Sequence, residues 1–257
     1  PMASSPNPFV WYELMTTDAD AAKAFYGAVL GWDAQEWGGK EFRYLIMSAG
    51  EKMVAGMMPM PADMCAAGGR PGWLGYIGTD DVDAATQRVS EAGGAIHRPP
   101  ADIPSVGRFS VVADPQGAVF MLFTPLGGDN APAPAGTAGH VGWRELYATD
   151  WPSAFAFYAS QFGWTKGEAV DMGPMGVYQL FAAGGDPIGG MMNKPEGIPA
   201  PVWLFYFNVP EADAAIARVT AHGGRVLNGP MQVPGGSWIA QCLDPQGAAF
   251  AVVACKR

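Results

Sequence analysis

Charged residues are scarce in this 257-residue chain, at 15% against about 25% in an average soluble domain. Hydrophobic residues reach 49%, so a self-repelling, disordered chain is excluded. Basic residues are scarcer still: 15 Lys plus Arg stand against 24 Asp plus Glu, a formal net charge of -9. No basic stripe could neutralise a run of phosphates, which argues against a nucleic-acid partner. Long apolar runs are also missing. Ala118 to Thr124 and Val202 to Phe207 run to seven residues or fewer, far short of the roughly 20 that cross a bilayer, so no membrane partner is expected. The three cysteines, Cys65, Cys242 and Cys255, are odd in number and widely spaced. They fit neither a disulfide framework nor a zinc site, and a reducing, cytoplasmic compartment is expected. The opening Pro1, Met2, Ala3, Ser4, Ser5, Pro6 has no basic region followed by an apolar stretch, so no secretory signal is expected; Pro1 ahead of Met2 reads as a tag remnant.

What is present is a repeat. Glu13-Leu14, Thr17-Asp18, Phe25-Tyr26 and Gly31-Trp32 return as Glu145-Leu146, Thr149-Asp150, Phe157-Tyr158 and Gly163-Trp164, at an offset of 132. Farther on, Trp73, Tyr76, Asp83, Arg88 and Gly93-Gly94 return as Trp203, Tyr206, Asp213, Arg218 and Gly223-Gly224, at an offset of 130. Asp114-Pro115-Gln116-Gly117 returns at the same offset as Asp244-Pro245-Gln246-Gly247. An offset this long and this steady means a duplicated domain. The spacing predicts domains over 6–125 and 140–257, joined by a Pro-, Gly- and Ala-rich linker over 126–139.

Each half reads as strand, helix and strands, twice over. Phe9 to Met15 alternates as a strand does, and Asp18 can cap a helix whose Ala22, Phe25, Tyr26, Val29 and Leu30 share one face; Gly31 ends it. The second unit starts near Trp73, with Asp80 or Asp81 as its helix cap, and its last hairpin turns at Asp114-Pro115-Gln116-Gly117. An α+β chain of two tandem domains, each of two βαβββ units, follows.

Asp18 with Phe25-Tyr26 and Gly31-Trp32, the Asp-Pro-Gln-Gly turn before an apolar final strand, and the paired βαβββ units resemble the vicinal oxygen chelate superfamily. It includes glyoxalase I, extradiol dioxygenases, fosfomycin-resistance enzymes and bleomycin-resistance proteins. The tandem form, with Trp-Tyr-Glu-Leu or Trp-Arg-Glu-Leu in the first strand, is similar to the hydroxylase-like and mycobacterial 27 kDa antigen group. The resemblance implies glyoxalase-like domains whose units curl into an open β-sheet cup, usually with a divalent metal at its floor held by His, Gln or Glu.

Carried onto this chain, the ligand positions fall on Trp11 and Trp143 in the opening strands, on Trp73 and Trp203 in the second units, and on Met121 and Ala251 in the final strands. Indole, thioether and methyl groups do not supply the nitrogen and oxygen donors such metals need, so no metal and no cofactor are expected. The histidines read as structural or surface residues: His140 by parity away from the cup, His222 at a helix end and His97 in a turn.

Two residues along from Trp11 and Trp143, on the same strand face, stand Glu13 and Glu145. If that face lines the cup, each is a carboxylate in an aromatic pocket and a candidate general acid or base. Alternatively, backbone N–H groups or an arginine hold each one and it fixes its strand. Trp11, Trp73, Met121, Trp143 and Trp203 are the expected ligand-binding residues, suited to a flat or apolar small organic molecule. Met57-Met58 and Met191-Met192 line the cup or fill gaps.

Several functions stay open: a metal-independent glyoxalase-, hydroxylase- or dioxygenase-like enzyme using Glu13 or Glu145, a binding protein that sequesters a drug or metabolite, a metal-dependent lyase or dioxygenase with an atypical ligand set, or an interaction role. The resemblance also implies intramolecular pairing of the two domains about a pseudo-twofold axis, in a chain that can be a monomer.

Overall fold

The computed structural model describes residues 5–39, 41–128 and 131–257. Residues 1–4, on which most of the tag reading falls, and two positions of the expected linker lie outside them.

Alternation in the opening segment gives β1 (Phe9–Thr16), and Asp18 starts α1 (Ala19–Leu30). The Asp18 carboxylate accepts the Ala21 N–H at 2.9 Å, and Gly31, at φ 72°, ends the helix in the left-handed conformation. Strands β2 (Asp33–Trp37), β3 (Tyr44–Ala49) and β4 (Lys52–Pro59) complete the first module. A short α2 (Ala62–Ala66) leads to the second, formed by β5 (Gly72–Gly78), α3 (Val82–Glu91), β6 (Ala95–Ile103), β7 (Gly107–Ala113) and β8 (Val119–Pro125). The third comprises β9 (Val141–Ala148), α4 (Trp151–Phe162), β10 (Thr165–Asp171), β11 (Val177–Ala182) and β12 (Pro187–Asn193). The fourth comprises β13 (Val202–Asn208), α5 (Ala212–Ala221), β14 (Arg225–Gln232), β15 (Trp238–Leu243) and β16 (Ala249–Ala254).

Among the described residues the strands make two open sheets of eight, ordered β2-β3-β4-β1-β5-β8-β7-β6 and β10-β11-β12-β9-β13-β16-β15-β14. This is the expected α+β architecture, two sheets each built from a pair of βαβββ modules. In each module the opening strand runs parallel to the last, and the others pair antiparallel. A parallel partner cannot be reached by a tight turn, which is why a helix follows every opening strand.

The chain packs as two compact units, neither of which is a sequence half. One holds the described residues of Pro1–Val10, Gly75–Pro132 and Arg144–Trp203; the other holds Trp11–Leu74, Ala133–Trp143 and Leu204–Arg257. Each therefore combines modules from both repeats, the second with the third and the first with the fourth.

Buried aromatic clusters account for this. In the unit containing the first and fourth modules, the Tyr26 hydroxyl donates to Asp244 at 2.8 Å and accepts from the Trp73 indole at 3.0 Å, with Trp32 stacked on its ring. In the other, Tyr158 donates to Asp114 at 2.9 Å, accepts from Trp203 at 3.1 Å and stacks on Trp164. The second oxygen of Asp114 accepts the Gln116 and Ala118 backbone N–H groups, and that of Asp244 accepts those of Gln246 and Ala248. The Asp-Pro-Gln-Gly segments are turns as the sequence indicated, and each also presents a carboxylate to a buried tyrosine. Burial holds both aspartates above the usual carboxylate range. Burial, reinforced by the adjacent carboxylate charge, raises Tyr26 and Tyr158 well above the ordinary phenol value.

Candidate functional site

Strand parity sorts β1 into two faces. Tyr12, Leu14 and Thr16 lie in the core, while Trp11, Glu13 and Met15 share the opposite face. Trp11 and Met15 are half-buried, but Glu13 is only 4% exposed. A carboxylate this enclosed requires partners.

Tyr44 is one of them. Glu13 is in register with Gly56 on β4, and Gly56 with Ile46 on β3. Tyr44, two residues before Ile46 and thus on the same face, lays its ring across Gly56, where a side-chain carbon would overlap the phenol. Its hydroxyl accepts the Trp11 indole N–H at 3.0 Å and lies beside the Glu13 carboxylate, close enough for that group to raise the phenol. An indole nitrogen only donates, so donation runs from Trp11 to Tyr44, and the carboxyl of Glu13 stands next to the phenol O–H. Burial, with the Glu13 charge beside it, pushes the Tyr44 phenol above its ordinary value. At neutral pH it keeps its proton, so the O–H beside Glu13 remains able to donate.

The second repeat has the same backbone plan. Glu145, 6% exposed on β9, is in register with Gly190 on β12, and the Tyr178 ring lies where a Gly190 side chain would go. Trp143 is half-buried on β9. Tyr44 and Tyr178 were legible only as aromatic residues. A stronger signal was available, since tyrosine and glycine recur together, Tyr44 with Gly56 and Tyr178 with Gly190, both at an offset of 134.

Trp73 and Trp203 are placed differently from the expectation that they share the Trp11 face. Both indoles are buried in the aromatic clusters, bonded to Tyr26 and Tyr158. Of the two cap candidates Asp81 caps α3, and on β5 the core side of the strand holds Trp73 while Leu74, of opposite parity, is half-buried. Met121 is buried on β8, in register with Tyr76 on β5 and Val111 on β7. Ala251 is in register with Tyr206 and Gln241, and the Gln241 amide donates to the Tyr206 hydroxyl at 2.8 Å. Met57 and Met191 are fully buried and fill the core.

The description Glyoxalase/Bleomycin resistance protein/Dioxygenase superfamily matches residues 9–122 and again 137–252. The chain belongs to this superfamily. This glyoxalase-superfamily chain is 36% identical over 247 residues to CFP32 of Mycobacterium tuberculosis (strain CDC 1551 / Oshkosh), a glyoxylase by name, covering 95% of this chain and 93% of that one. It is 33% identical over 266 residues to the anthracycline biosynthesis protein DnrV of Streptomyces peucetius, covering 97% and 94%. Its fold matches that of the Mn(II)-bound glyoxalase from Novosphingobium aromaticivorans with a TM-score of 0.66, at 17% identity, over 98% of this chain and 83% of that one.

A superfamily with metal-bound members invites the question of whether the residues here fit a metal. Among the described residues no three His, Cys, Asp or Glu side chains gather closely enough to hold one. Trp11, Trp143, Met121 and Ala251 present no hard donor. At these positions, among the described residues, the side chains do not make the donor set of a divalent ion.

Proposed function

We propose that this chain binds a small, planar aromatic molecule bearing a hydroxyl group or an enolisable carbonyl, without a metal, and that Glu13 receives its proton or hydrogen bond. The observation that carries this reading is the buried Glu13 carboxyl beside the Tyr44 phenol, which is in turn anchored by the Trp11 indole N–H. Trp143, Glu145 and Tyr178 are the corresponding set of the second repeat. Indole and phenol rings favour flat ligands, and a few convergent polar groups orient them. The similarity to an anthracycline biosynthesis protein over nearly the full chain supports an aromatic ligand.

Glu13 next to a phenol that stays protonated can withdraw a ligand proton while Tyr44 stabilises the resulting carboxylic acid or the ligand anion. Binding alone needs the same groups, so sequestration and catalysis share this site. Titration with alizarin (1,2-dihydroxyanthraquinone), followed by tryptophan fluorescence and by the visible band that reports its ionisation, tests the reading. We expect saturable binding that survives a chelator and weakens in Glu13→Gln. Recovery of the probe unchanged favours sequestration, and a new product favours catalysis. Binding that needs a stoichiometric metal, or that is unaffected by Glu13→Gln, overturns the reading.

A further inference from the structure

The two repeats share the glutamate, tyrosine and glycine but differ in what surrounds the tyrosine. In the first repeat Trp37 is the cross-strand partner of Tyr44, with ring centroids 5.9 Å apart, edge to face. Phe42 packs on Trp37 at 6.1 Å. Both outer rings remain open to solvent, Trp37 at 38% and Phe42 at 49%. The Arg43 guanidinium, next to Phe42, bonds Glu36, next to Trp37, at 2.6 Å and Asp20 on α1 at 2.7 Å. The three rings thus form a continuous aromatic surface from the exposed Phe42 and Trp37 to the Tyr44 ring, whose hydroxyl lies beside Glu13.

The second repeat carries other residues at these positions. The cross-strand partner of Tyr178 is Val170, the residue two before Tyr178 is Gly176, and Val177 stands at the Arg43 position. The strand is bulged between Lys166 and Ala169, and a single 3-10 turn, Gly173–Met175, precedes β11.

We infer that the repeats are functionally unequal: the Trp37–Phe42 pair is a π-face subsite that makes the first repeat the working site for a planar aromatic ligand, at one ligand per chain. The inference rests on the reading of Glu13 given above and adds the specificity element. Ring-on-ring contact discriminates flat from puckered ligands because offset stacking requires a planar partner, while the hydroxyl end is held at Glu13.

The test is alizarin titration of the full chain. We expect one alizarin per chain, with affinity weakened roughly three- to tenfold in Trp37→Ala. It should return in Trp37→Phe, which keeps an aromatic face, and stay unchanged in Val170→Ala. Phe42→Ala is a second variant on an exposed side chain, so that a folding defect at one position cannot decide the matter. Two equivalent sites, or wild-type affinity in both Trp37→Ala and Phe42→Ala while Glu13→Gln still weakens binding, overturns the inference and leaves the Glu13 reading standing. No alizarin binding by the wild-type chain overturns the Glu13 reading and this inference with it.

Discussion

The ring of Tyr44 lies across Gly56, so its phenol reaches the side of Glu13 because one strand position carries no side chain. Gly56→Ala should force the ring away and cost about 1–3 kcal/mol, the usual range for overpacking. Urea unfolding measures the loss, and alizarin affinity should fall with it. In a Tyr44→Ala background the same glycine change should be nearly neutral, because the overlapping ring is gone. Equal costs in the two backgrounds would mean that the backbone, and not the ring, demands glycine.

Two tryptophans with similar sequence surroundings should respond oppositely. Trp73→Phe removes the N–H that Tyr26 accepts inside a buried cluster, so unfolding free energy should drop by about 1–3 kcal/mol with ligand affinity unchanged. Trp11→Phe removes the donor to Tyr44 on a half-buried face. Affinity should fall while stability changes little. A Trp73→Phe protein that unfolds like wild type but no longer binds would return Trp73 to the ligand face.

The fold was legible because duplication wrote each signal twice. Asp18 and Asp150 cap their helices, and Gly31 and Gly163 end them. The site was less legible because strand parity leaves no tolerance for error: a shift of one residue along β5 exchanges the buried Trp73 for the half-buried Leu74. Glu13 and Trp11 needed only the period of two along one strand. Their link to Tyr44 depends on register across three strands, which no local pattern specifies.

Asp114 and Asp244 make stability depend on pH in the less common direction. Burial raises both carboxyls, so the folded chain binds these protons more tightly than the unfolded chain does. Their contribution is therefore largest below the ordinary aspartate range and declines as pH rises through the raised values. Asp114→Asn abolishes that dependence at one site and leaves the Tyr158 hydroxyl without its carboxylate. The variant should thus be most destabilised relative to wild type at low pH, with the gap narrowing toward neutrality. Urea midpoints collected across that range give the comparison, and a gap that widens with pH refutes the assignment.

Cys242 is fully buried on β15, whereas Cys65 and Cys255 are exposed. Burial pushes the Cys242 thiol up to about 12. Since the thiolate is the reactive form, two effects protect this sulfur at neutral pH: it is protonated and no reagent reaches it. An aromatic disulfide reagent should titrate the thiols of Cys65 and Cys255 in the native chain, and that of Cys242 only after denaturation. The same shift predicts alkaline behaviour. The folded state retains the Cys242 proton where the unfolded state has begun to lose it, so stability should fall as pH climbs from about 9 toward 12. Cys242→Ala should remove that share of the fall, at the expense of a small cavity beneath α5. Rapid labelling of Cys242 in the native protein would show that β15 opens locally, and its rate would measure how often.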